Sequence, residues 1–267
     1  MSKVVFALQW GQVCVETQKI IIILPTTYDK SMKIKGVFVA MAAVFTMFCT
    51  AVGLCAHALS APQTVFGENG TQITVALDAG HGGIDGGVTG KTTKVKESDL
   101  NLAIVQLLAP QLEEMGFQVV LTRKTQAGLY GVYGRGFKKR DMQRRKEIIQ
   151  ESNPDLVVSV HQNLYPTSGT RGAQVFYLKD SQAGETFAAA LQEPLNKMYA
   201  NYGVKPRVCK AADYFMLSCT SNPSVIVECG FLSNAQDEAL LVQPAFQREL
   251  VSAIISGIVA YLSQTLS

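Results

Sequence analysis

Three apolar, β-branched runs in this sequence each stop at a side chain able to ligate a metal or carry a proton. "ITVAL" (73–77) leads through Asp78 and Ala79 to His81, set among Gly80, Gly82 and Gly83; "DLVVSV" (155–160) leads into His161-Gln162-Asn163; and "SVIVE" (224–228) ends at Glu228, followed by Cys229-Gly230-Phe231. In open α/β sheets, ligands bind outside the carboxyl ends of the strands. If the three runs are parallel neighbours, two imidazoles and a carboxylate converge on one edge. Neutral nitrogens, a carboxylate and an open position for water are what a hydrolytic zinc ion requires. The glycines fit this reading, because they let backbone wrap closely round an ion and its substrate. The alternative is a glycine turn carrying an incidental histidine, and no compact H-E-x-x-H signature decides between them.

Other chemistries fit less well. A dinucleotide fingerprint needs G-x-G-x-x-G opening into a helix, but Asp85 stands where the third glycine belongs. No G-x-S-x-G nucleophile elbow is present. Cys229 with His161 as base would make a cysteine hydrolase, although an adjacent carboxylate raises a thiol's pKa and blunts it.

The elements that must position these residues alternate in period. Besides the three runs above, "FQVVLT" (117–122) and "AQVFYL" (173–178) suit strands. Segments 98–116, 136–152, 183–203 and 245–262 read as helices, the first with Ser98 as its cap and a kink expected at Pro110. The expectation is an α/β fold: a mainly parallel or mixed sheet flanked by helices on both faces, in a single catalytic domain.

Charge and hydropathy divide the 267 residues further. The formal charge of +3 belongs to the first 61 residues; beyond them, 19 basic residues face 19 acidic ones. A neutral body offers no electrostatic footprint for nucleic acid. From Met32, two lysines precede an uncharged run, Gly36 to Ala56, and then small residues. That pattern reads as a signal peptide or a membrane anchor, and either exports the remainder of the chain. The expected divisions are an extension over 1–31, the leader over 32–61, a linker over 62–72 and the catalytic domain over 73–267. Past the leader, Cys209, Cys219 and Cys229 show no metal-knuckle spacing. A Cys209–Cys219 bridge and free thiols both remain open.

Four ordered motifs, "LDAGHGGIDGG", "KESDLNLA", "SVHQN" and "VIVECGFLSN", resemble those of the zinc-dependent N-acetylmuramoyl-L-alanine amidases, from about Ile73 to Leu262. The layout resembles the spore-cortex amidases within that family. The resemblance implies hydrolysis of the amide between N-acetylmuramic acid and L-alanine in peptidoglycan, at the cell envelope, with a protein activator in some members. It implies Zn²⁺ held by His81, Glu97 and His161, with Glu228 as the catalytic glutamate. Read without the family, Glu97 is an ordinary acidic residue at a helix N-terminus. Alternatives are a non-catalytic wall-binding or regulatory protein, and the Cys229 hydrolase.

The chain departs from the family in two places. Gln150 follows Arg145 where relatives often carry Asn, so the longer amide is expected to hold the neighbouring loop differently. Gln162 replaces a smaller or apolar residue. Segment 126–146, with Tyr130, Tyr133, four glycines and seven basic residues from Arg135 onward, reads either as a loop over the substrate cleft or as a solvated helix face behind a turn.

Overall fold

The computed structural model describes residues 72–166 and 169–265. The expected extension, leader and all of the linker except Gln72 lie outside the described residues. Among the described residues there are six strands: β1 (Thr74–Ala79), β2 (Gln118–Leu121), β3 (Leu156–Asn163), β4 (Gln174–Leu178), β5 (Lys210–Ala212) and β6 (Ser224–Phe231). The helices are α1 (Glu97–Glu114), α2 (Phe137–Ser152), α3 (Gln182–Ala200), α4 (Ala235–Leu241) and α5 (Pro244–Thr265), with a 3₁₀ turn at Phe215–Ser218. All five expected strands and four expected helices form. The three-residue β5 and the seven-residue α4 are too short to produce a periodic signal.

The sheet order is β2-β1-β3-β6-β4-β5. The β1–β2, β1–β3, β3–β6 and β4–β5 pairs are parallel, and β4 runs antiparallel to β6. The sheet is therefore mixed, and β1, β3 and β6 are the adjacent parallel strands that the convergence of their end residues requires.

The two faces differ. Val75, Leu77, Val158, Val160, Val225 and Val227 belong to the large core shared with α1, α3 and α5. Each fully buried Val, Leu or Ile there contributes roughly 1.5–3 kcal/mol. Ala76, Val157 and Ile226 point the other way, into a small cluster with Ile149 of α2 and with Met216, Leu217 and Cys219. The period of two then carries Asp78, Ser159, His161 and Glu228 onto this thinner face.

Two helices depart from expectation. α1 begins at Glu97 with Lys96 as its N-cap and stays continuous through Pro110; Ser98 is buried in its first turn rather than capping it. α2 buries Asp141, Arg145 and Ile149, spaced four apart. Its inward stripe carries an ion pair, while most of the segment's basic residues, Lys138, Lys139, Arg140 and Arg144 among them, are exposed. α5 is long and apolar enough to cross a membrane, yet Leu250, Ile254 and Ile258 are buried in the large core.

Candidate metal centre

His81, Glu97 and His161 bring one donor atom each to within 4.8 Å of one another. Glu97 Oε1 lies 2.9 Å from His161 Nδ1 and 3.2 Å from His81 Nε2. The rings meet edge to face, with centroids 5.1 Å apart. Glu97 is buried, and its Oε2 accepts from the Val88 amide at 2.8 Å. Burial alone would raise its carboxyl, but the two histidines outweigh burial and hold it well below the usual range. Burial opposes protonation of His81, and Glu97 and Asp85 reverse that, raising its pKa.

Local backbone explains how residues so far apart in sequence meet. His81 has φ 61, an uncommon value for a non-glycine residue that must be held by its surroundings. Two buried arginines hold it. Arg123 donates to the carbonyls of Ala79 (2.8 Å), Gly80 (3.1 Å) and Ser98 (2.7 Å). Arg145 donates to those of Ala79 (2.7 Å) and His81 (2.5 Å). Gly80 has a steric reason to be glycine: a Cβ there would overlap the His161 imidazole. At Gly87, with φ 66, a Cβ would overlap the Glu97 carboxylate. Bare backbone is needed where donors close on one point.

The chain then returns to Glu97 through the loop 88–96. That loop is pinned by the Thr89–Lys96 bridge and by Glu238 of α4, whose carboxylate accepts from the amides of Thr92 (2.9 Å) and Thr93 (2.6 Å). Behind Glu97, Gln162 Nε2 donates to Asn101 Oδ1 at 3.1 Å, and Asn101 Nδ2 donates to the Gly80 carbonyl at 3.1 Å. The side chain at the Gln162 departure therefore braces Asn101, whose Nδ2 also lies 3.5 Å from Glu97 Oε1. Gln150, by contrast, is exposed on α2, and the buried Arg145 holds the loop instead.

Glu228 pairs in register with His161 across β3 and β6 and stands outside the three-donor group. Its Oε2 is buried without a hydrogen-bond partner. Burial raises its pKa to about 7, and the histidines only partly offset that. Cys229, the next residue, points into the large core and is fully buried. Burial and the neighbouring Glu228 push its thiol far above the ordinary range. An inert, inaccessible thiol is not a nucleophile, so the Cys229 hydrolase reading is wrong. All three described cysteines are free.

Segment 126–146 resolves residue by residue. Arg140 donates to the carbonyls of Tyr130, Val132 and Arg135, clamping the turn. Arg144 pairs with Glu147 and Glu151 on the exposed face. The Tyr130 hydroxyl accepts from the Ile84 amide at 2.9 Å, tying the turn to the glycine loop. Lys138 Nζ lies 3.4 Å from Asp85 Oδ1, while Asp85 Oδ2 lies 3.2 Å from His81 Nδ1. Sequence reading missed Asp85, Asn101, Arg123 and Glu238. For Asp85 a signal existed, an acid four residues past a candidate ligand. The other three act through long-range contacts.

The family model described as N-acetylmuramoyl-L-alanine amidase, Amidase_3, matches residues 75–260. A germination-specific N-acetylmuramoyl-L-alanine amidase of Bacillus subtilis is 31% identical over 193 residues, covering 71% of this chain and 80% of the relative. Among solved structures, the CwlD amidase from Clostridioides difficile, in complex with the GerS lipoprotein, superposes with a TM-score of 0.69 at 38% identity. It covers 72% of this chain and 100% of that one. The catalytic domain of CwlV, an N-acetylmuramoyl-L-alanine amidase from Paenibacillus polymyxa, gives 0.62 at 25% identity, covering 73% and 100%.

Proposed function

This chain belongs to the Amidase_3 family of N-acetylmuramoyl-L-alanine amidases, and from that premise we propose that its reaction runs at His81, Glu97 and His161 with zinc as the resident ion and Glu228 as the proton carrier. The enzyme hydrolyses the amide joining the N-acetylmuramoyl group to L-alanine in peptidoglycan. Its place is the cell envelope or beyond. A non-catalytic wall-binding role gives way to that activity.

One observation carries the assignment of the site. Three donors, from the loop after β1, from α1 and from β3, meet within 4.8 Å, beside a buried glutamate oxygen that lacks a partner. Two imidazole nitrogens and a carboxylate suit zinc better than magnesium or calcium, which favour oxygen. When bound, zinc supplies Lewis acidity toward an amide carbonyl and lowers the pKa of a water. Glu228 takes a proton from the attacking water and returns it to the leaving nitrogen. A carboxyl raised to about 7 holds and releases a proton near neutral pH. Asp85, on His81 Nδ1, fixes the tautomer that leaves Nε2 free as a donor.

Residues 73–267 form the catalytic domain in this reading, with 32–61 as signal peptide or anchor. A role in the spore cortex is supported by the germination-specific relative and the CwlD structure. The lipoprotein bound to CwlD supports a protein partner for this chain as well.

The test is release of peptide stems from purified peptidoglycan, with chelator, with zinc added back, and with Glu228→Ala. Loss, rescue and silence in that order support the assignment. Activity indifferent to chelator overturns it.

A further inference from the structure

Resting on the amidase reading above, we infer that the cleft between α2 and the glycine loop is the subsite for the peptide stem, and that Lys138 reads the free carboxylate of the stem's second residue.

The cleft has a volume of about 230 Å³, and both His81 and His161 line it. Whatever fills it therefore lies next to the bond being cut. Phe137 and Met142 of α2 and Met216 of the 3₁₀ turn give it apolar walls. Asp78, Asp141 and Arg145 also line it, but these charges are spent on one another at 2.6 Å. Lys138 is different. It is 66% exposed at the side chain and paired only loosely with Asp85, at 3.4 Å.

The substrate offers two halves for this space. The glycan continues in both directions from the muramic acid and needs an open groove. The stem ends after a few residues, so it is the half that can enter a cleft backed by buried side chains. Its first residue presents a methyl group, suited to the apolar walls. Its second, a glutamate joined through the γ-carboxyl, leaves an α-carboxylate free. A lysine ammonium is a mobile point charge that meets such a carboxylate without a rigid fork, and the resulting hydrogen bond is charge-assisted. Asp85 need not leave His81 for this, because it contacts His81 through its other oxygen.

The test uses the full, zinc-loaded chain and two muropeptides differing only at the second stem residue, free acid or amide. Wild type should favour the free acid about fivefold in kcat/KM, the size of a partly exposed charge pair. Lys138→Met should bring that ratio to about one. Met216→Trp, which fills the cleft, should raise KM for both substrates with zinc affinity unchanged. A ratio that survives Lys138→Met, or an unaltered KM in Met216→Trp, overturns the subsite. So does a KM defect that grows with glycan length at constant stem, which gives the cleft to the sugar. Failure of wild type to cleave either muropeptide instead defeats the amidase reading, and this subsite with it.

Discussion

Arg145 Nη1 lies 2.6 Å from Asp78 Oδ1, with both side chains 1% exposed, and the same guanidinium reaches the His81 carbonyl. This pair fixes the end of β1 from beneath. Removing one member of a buried pair strands the other and costs about 3–5 kcal/mol. Arg145→Met should lose that much in urea unfolding. A loss under about 1 kcal/mol would show the pair to be dispensable. The pH response follows from Asp78. Burial would raise its carboxyl, but Arg145, Ser159 and Thr122 lower it from 3.8 to about 2. A depressed carboxyl stabilises above its unfolded pKa and loses that contribution as pH falls through its folded one. About 2 kcal/mol should therefore disappear between roughly pH 4 and pH 2, and Asp78→Asn should flatten that limb.

Gly80→Ala separates the site from the fold. The added methyl meets the His161 ring rather than core side chains, so His161 must move. Displacing a ligand or its support typically costs 10–100-fold in metal affinity. We expect at least the upper figure in a zinc competition titration, with less than about 2 kcal/mol lost from the metal-free protein. Unchanged zinc affinity would mean that His161 is not a ligand.

Much of this site was legible in the sequence because its chemistry follows apolar runs, although β3 and β6 continue past His161 and Glu228 to Asn163 and Phe231. His81, His161 and Glu228 each terminate a β-branched run, and parallel neighbours bring such ends together. Glu97 was not legible in that way. It opens a helix on the far face of the sheet, and only resemblance to a family distinguished it from an ordinary first-turn acid. The supports were hidden for another reason. Arg123 and Arg145 act on backbone carbonyls more than forty residues away, and Arg145 was masked by the basic run round it. The antiparallel β4 was likewise unreadable, since a strand's direction leaves no trace in its periodicity.

Glu228→Gln should make the metal-free protein more stable while stopping hydrolysis. The carboxyl is raised by burial from 4.5 to about 7, so its ionised form is penalised in the folded state. Stability is therefore full below the unfolded pKa and falls as pH rises through 7. The amide removes that penalty. The gain should be near zero at pH 4 and as much as about 3 kcal/mol at pH 8. Stem release should fall by about 10²–10⁴-fold, the usual worth of a positioned acid–base group. Denaturant melts at the two pH values check the first claim. An equal effect at both would show that Glu228 is not held in its neutral form.

Zinc itself should stabilise the fold through these three donors alone. An ion that binds only the native state contributes about 2.7 kcal/mol at one hundred times its Kd. For a domain of this size each kcal/mol raises Tm by about 2–4 °C, so a rise of about 5–10 °C is expected. Magnesium should give none, because the site offers two imidazoles and one carboxylate rather than an oxygen cage. Glu97→Gln removes the donor that both histidines face and should lose most of the shift. Glu228→Gln should keep it, since Glu228 stands outside the donor group. A Glu97→Gln protein that melts with the full zinc shift would move the metal elsewhere. A Glu228→Gln protein that loses the shift would make Glu228 a ligand rather than the proton carrier.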